Sequence, residues 1–116
     1  MSRTLDMDWK NIEATLVDNE TVFIDIWNPN DLLGNGFQPV FNKVADDHKD
    51  VKFARINADI EPDLAKALGV ESTPTLIVVK KRMDILQKTE QLGEQMLQDL
   101  VEVVRGIDVD ELMMST

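Results

Sequence analysis

Cysteine is missing from all 116 residues. Disulfides, thiolate metal ligands and thiol nucleophiles are excluded with it, and the redox compartment is left open. Histidine occurs once, at His48, so a metal centre of three imidazoles cannot be assembled. Basic residues are few: 12 Lys and Arg stand against 22 Asp and Glu, a net charge of -10. A nucleic-acid backbone is gripped by clustered Lys and Arg, so no nucleic-acid partner is expected. The charge suits solubility first, and a basic partner second. Long apolar runs are absent too. TLIVV, from Thr75 to Val79, falls far short of the roughly 20 residues that span a bilayer, and MSRTLDMDWK carries no apolar leader core. No membrane association is expected, and the expected address is cytoplasmic.

What is present suffices for one compact domain. Hydrophobic residues make up 43% of the chain, and a chain of this length is short for two domains. Residues 1–106 read as that domain and 107–116 as an acidic tail that frays or folds Met113 and Met114 back onto the core. No internal repeat or low-complexity segment appears.

The elements alternate. Asp6 or Asp8 caps a first helix over Trp9 to Val17, with Ile12 and Leu16 on one face. TVFIDIW is near-continuously hydrophobic, as in a strand buried on both faces of a parallel sheet. After the loop NPNDLLGNG, Phe37, Val40, Phe41 and Val44 form an apolar helical stripe, with Pro39 either inside that helix, where it would kink it, or just at its start. VKFARINAD reads as a second long strand. EPDLAKALGV is a short helix with Pro62 in its first turn and Gly69 at its end. STPTLIVVK and MDILQKTEQ form a hairpin turning at Lys80, Lys81 and Arg82. GEQMLQDLVEVVRG is an amphipathic helix with Met96, Leu97, Leu100, Val101 and Val104 inward. A short strand at Arg3 to Asp6 is possible. Helices between the early strands imply right-handed parallel crossovers. The fold class is α/β, a mixed central β-sheet flanked by helices on both faces.

With these features in order, the chain resembles the thioredoxins from about Leu5 to Arg105. The resemblance rests on the strand ending IDIW, on Pro39 twelve positions after Trp27, on ARINAD, on the short helix ending GV, on STPTLIVVK and on the last helix. It implies the thioredoxin fold. In that family a Cys-Gly-Pro-Cys motif follows the strand, and its four positions fall on Asp31, Leu32, Leu33 and Gly34 here. Asn30 replaces the second Trp of the pattern. Thiol-disulfide exchange requires thiolate attack on a disulfide sulfur, so the redox activity does not carry over.

The resemblance also assigns the surroundings. Asp31 stands at the nucleophile's position, where its expected role is a helix cap. Asp25 matches the family's buried carboxylate and Arg55 its nearby lysine, so a structural buried pair is expected, with the guanidinium holding the carboxylate bidentately. Pro74 corresponds to the family's cis proline, after Thr73. The backbone there pairs in the family with an extended peptide, a strand-addition mode. Trp27, Asp31, Leu32, Leu33, Thr73 and Pro74 are accordingly the candidate peptide-binding residues. Leu32 and Leu33 either offer an apolar contact patch or plug the core. Across the groove, Glu90 replaces the family's glycine beside Thr89, a bulkier and more polar wall. Asp46, Asp47, His48 and Asp50 lack calcium-loop spacing and read as a solvated face.

Two kinds of function remain. The first is a redox-inactive protein that binds a protein or peptide, as an adaptor, a chaperone-like factor or an accessory subunit, including one that serves a redox pathway through its partner's cysteines. The alternative is an enzyme using Asp31 and Asp25 as an acid/base pair. No cofactor and no metal are expected in either.

Overall fold

The structure is a computed structural model that describes residues 4–31 and 34–114. Leu32 and Leu33, whose exposure the sequence leaves open, lie outside the described residues. Ten elements follow in order: β1 (Leu5–Asp6), α1 (Ile12–Asp18), β2 (Thr21–Trp27), α2 (Gly34–Asp47), β3 (Lys52–Asn57), α3 (Pro62–Ala67), β4 (Thr75–Lys80), β5 (Met83–Lys88), α4 (Glu94–Arg105) and α5 (Val109–Met114). The strands form one mixed sheet in the order β1-β3-β2-β4-β5.

β2 is central, which is why its sequence hardly alternates: Thr21 to Ile26 are all buried, one side chain after another turned to opposite covered faces. On one face Phe23, Phe53, Leu76 and Val78 pack against Phe37, Phe41 and Val44 of α2 and Leu97, Val101 and Val104 of α4. The rings of Phe23 and Phe53 stack at 5.2 Å, and Phe41 meets Phe53 edge-on at 5.0 Å. On the other face Ile24, Ile26, Ala54, Ile56, Ile77 and Val79 pack against Leu64 and Ala65 of α3, with Ile12 and Leu16 of α1 alongside.

Several expectations change. β1, β3 and β2 run parallel, but β4 is antiparallel to β2 even though α3 separates it from β3. Six helical residues rise only about 9 Å, too little to carry the chain back along a strand of roughly 20 Å. β4 therefore starts at the end where β3 finished, with Thr75 opposite Ile26. α1 begins at Ile12, three residues later than expected. The Asp8 carboxylate holds the N–H groups of Lys10 and Asn11 in a turn before the helix, and Trp9 stays exposed. α2 starts earlier, at Gly34, so Pro39 is its sixth residue and lies inside the helix, the deeper of the two placements the sequence allows. The ring removes the amide that would bond the carbonyl of Asn35.

Met96 is 59% exposed, not inward. At 100° per residue it lies about 100° from Leu97, outside the arc through Leu97, Val101 and Val104 that α2 and the sheet cover. The tail is not frayed over residues 109–114, which form α5. Val109 is buried and supplies the anchor there, whereas Met114 is exposed.

Candidate functional site

β2 delivers Trp27 to the end of the sheet, and a tight turn follows. Asn28 accepts the amide of Asp31 on its carbonyl at 2.9 Å and the amide of Asn30 on its side-chain oxygen at 2.9 Å, the local bonding that makes Asn a turn residue. α2 begins three residues past Asp31. From the neighbouring strand, the Thr73–Pro74 peptide bond is cis, and Pro74 immediately precedes β4. The Thr73 hydroxyl donates to the Asp31 carboxylate at 3.1 Å. Trp27, Asp31, Thr73 and Pro74 are thus gathered at one tip of the sheet, all half-buried. The described side-chain bond of Asp31, expected as a helix cap, is the one from Thr73. Of the four motif positions, Gly34 opens α2, and Leu32 and Leu33 are not described.

Two residues back along β2, Asp25 lies directly across from Arg55. Both are buried, and Arg55 Nε donates to Asp25 Oδ2 at 3.0 Å. The contact is single rather than bidentate. The guanidinium lies over the Trp27 ring, 4.4 Å from its centroid, a cation–π placement that spends its plane on the indole. Burial pushes the Asp25 carboxyl up, and outweighs the hydrogen bond and the attraction from Arg55 that pull it down. Asp25 and Asp31 have different partners, Arg55 and Thr73, so no described contact couples them as an acid/base pair.

This architecture matches known proteins. The sequence model described as Thioredoxin matches residues 4–105. The chain belongs to the thioredoxin family. A Streptomyces coelicolor protein carried under the name thioredoxin 2 is 32% identical over 112 residues, covering 97% of this chain and 84% of that one. A thioredoxin of Chlorobaculum thiosulfatiphilum is 29% identical over 76% of this chain and 83% of its own. Among solved structures, a thioredoxin mutant from Halobacterium salinarum NRC-1 superposes with a TM-score of 0.82 at 22% identity, over 93% of this chain and 97% of that one. Human ERp44 reaches 0.83 at 20% identity, over 98% of this chain and 34% of that one. These likenesses establish the fold. Unlike a thioredoxin that exchanges disulfides, this chain has no cysteine with which to do so.

Two features escaped the sequence reading. Lys80, read as a turn residue, is buried, and its ammonium donates to the carbonyls of Val104 and Ile107, each at 2.7 Å, and of Arg105 at 3.2 Å. The two-residue period through Leu76, Val78 and Lys80 already points it inward with the core. The acidic group near His48 is not merely solvated. Asp50 holds Arg105 of α4 through two bonds, at 2.8 and 3.1 Å, and Asp47 accepts from Gln98 at 2.8 Å. The seam spans about fifty residues of sequence, which no local pattern reports.

Proposed function

We propose that this chain is a redox-inactive thioredoxin-family protein that works by gripping a protein or peptide at the Trp27–Asp31–Thr73–Pro74 tip. The observation that supports this reading best is the Thr73–Asp31 hydrogen bond. A carboxylate and a hydroxyl are held where the family resemblance puts a thiolate beside the cis proline, so the corner offers polar contacts and no electrons. A cleft of about 280 Å³ lined by Asn28, Ala58, Pro62, Val70, Glu71 and Thr73 opens beside it, with room for a side chain of a bound segment. The described part of the tail, through Met114, lies away from this corner. Lys81 pairs with Asp110 at 3.3 Å, which holds α5 at the Lys80 end of β4, about 20 Å of strand away from Pro74.

The role is that of an adaptor, a chaperone-like factor or an accessory subunit, and a place in redox homeostasis comes through a partner that carries its own cysteines. An alternative, carboxylate catalysis by Asp25 and Asp31, draws on the elevated Asp25 carboxyl but has no second group coupled to it. NMR titration of the labelled protein with a pool of extended peptides tests the reading. Shifts are expected at Trp27, Asp31 and Thr73, with no insulin reduction above background. Shifts confined to α4, or measurable turnover, overturn it.

A further inference from the structure

A second opening lies on the far side of Trp27. Asp6, Arg55 and Asp25 sit side by side across β1, β3 and β2, since Leu5–Asp6 and β2 both pair in parallel with β3. Side chains directly across from one another share a face. Where this row meets the 57–61 turn there is a cleft of about 260 Å³, lined by Asp6, Asp8, Trp27, Arg55, Asn57 and Glu61, among others. It shares Trp27 with the tip proposed above but no lining residue with the cleft beside Thr73, so Thr73 and Asp31 report on the one and Arg55 on the other.

Its donors are the first clue. Arg55 is 4% exposed, yet only its Nε is engaged, by Asp25. No described residue accepts from its Nη atoms. Among the described residues no buried side-chain nitrogen is left unsatisfied, so these Nη groups reach the open space of the cleft they line. Asn57 spends its side-chain oxygen on the amides of Asp59 and Ile60, which leaves its NH₂ as a donor at the same wall. An acceptor of hydrogen bonds belongs there.

The carboxylates are the second clue. Asp25 already balances Arg55, so Asp6, Asp8 and Glu61 give the cleft an excess of negative charge. Asp8 is engaged with the amides of Lys10 and Asn11. Glu61 makes no cap bond to α3, and Asp6 is exposed at the sheet edge. Among the described residues no group of three acids is arranged to hold a metal ion. The carboxylates are spread around a hollow, which suits an organic cation. A free anion meets net repulsion, and a simple alkylammonium leaves the Arg55 and Asn57 donors unused.

We propose that this cleft binds a primary ammonium group carrying a neighbouring carbonyl, as at the amino terminus of a peptide, with the ammonium against Asp6 and Glu61 and the carbonyl on Arg55 and Asn57. The source is either a free amino-acid amide or the amino terminus of a partner.

The test follows the Trp27 indole and Arg55 Nε–H signals of the full chain by NMR. The probes are glycinamide, N-acetylglycinamide, ethylamine and acetate, and a tripeptide amide with its amino terminus free or acetylated. Saturable shifts are expected with glycinamide and with the free tripeptide, about tenfold weaker or absent on acetylation, and weaker with ethylamine. Tighter binding of the tripeptide than of glycinamide identifies a partner's terminus as the source, and the reverse a free metabolite. Glu61→Gln, a surface change that leaves the fold alone, should weaken glycinamide about tenfold, and Arg55→Lys should erase its advantage over ethylamine. Equal response to acetylated and free probes, shifts with acetate alone, or an unchanged affinity in Glu61→Gln overturns the proposal. If Arg55→Lys does not fold, the acetylation pair and Glu61→Gln decide it.

Discussion

Two buried cations sit on the same face of the sheet, at its two ends, and are satisfied in opposite ways. Arg55 stands near the tip that carries Trp27, opposite Asp25. Lys80 stands opposite Thr21 at the other end of β2. The ammonium of Lys80 meets three backbone carbonyls at the end of α4 and just beyond it, so all three of its protons are used and its charge faces the negative end of the helix dipole. The guanidinium of Arg55 meets one carboxylate and one indole and keeps donors in hand. One end of the molecule is closed by its cation. The other is left open beside one, and the candidate sites lie there.

Removing Arg55 should produce the largest effect. Arg55→Ala strands Asp25 in an apolar wall, and breaking a buried pair from one side costs about 3–5 kcal/mol. Chemical denaturation reads this directly. The change of both partners, Asp25→Leu with Arg55→Met, should recover most of the loss, since well-packed apolar residues replace buried pairs at little cost. A single variant that loses less than about 1 kcal/mol would show that water already reaches the pair freely.

At the closed end, Lys80→Met keeps the apolar stem and deletes the ammonium. Hydrogen bonds to a charged group contribute about 1.5–3 kcal/mol, and a loss in that range is expected. The sharper readout is hydrogen exchange. Amides of residues 109–114 should exchange faster, because Lys80 joins the last turn of α4 to the Ile107 carbonyl that leads into α5, while amides around Thr73 should not change. Equal acceleration at both ends would mean that the two ends do not differ in the way described.

The same contrast marks what can be read from the letters alone. The strand TVFIDIW, the short helix closed by Gly69 at φ 80° and the apolar stripe of α2 are local patterns, visible in the letters. The direction of β4 is not, because it depends on the length of α3 compared with that of a strand. Nor is the choice among the apolar residues of α4. Met96, Leu97, Leu100, Val101, Val103 and Val104 cover more of the helix than one partner can bury, and the packing of α2 decides which remain outside. Asp25 beside Arg55 came from the family likeness, which supplies the strand neighbours. Lys80 points inward by parity, but its polar run with Lys81 and Arg82, which turn the chain with positive φ, reads locally as a loop.

A pH profile separates the two cations further. Asp25 titrates higher in the folded protein than its ordinary value of 3.8, so the native state holds that proton more tightly than the unfolded chain does. Its contribution to stability is therefore full below 3.8 and is lost as pH rises through the raised folded value. Asp25→Asn should remove that falling limb from the stability profile above pH 3.8, and Lys80→Met should leave it in place. The difference between the two profiles, followed by thermal melts across pH, is the measurement. A limb that persists in Asp25→Asn would assign it to another acid, with Asp84, also raised by burial, the first to examine.

The smallest effect belongs to the tip itself. Thr73→Val keeps the shape and β-branching of the side chain but removes the hydroxyl that reaches Asp31 at 3.1 Å. A part-buried hydrogen bond of this kind contributes about 0.5–1.5 kcal/mol net, and the lower half of that range is expected because Asp31 can turn to water. The informative outcome lies in binding. With stability little changed, any peptide that docks beside Pro74 should lose contact with a fixed Asp31 carboxylate, and its affinity should fall while its exchange pattern over α5 stays as in the parent. A stability loss as large as that of Lys80→Met would mean that the tip is as tightly tied as the closed end, which would remove the asymmetry on which the gripping role rests.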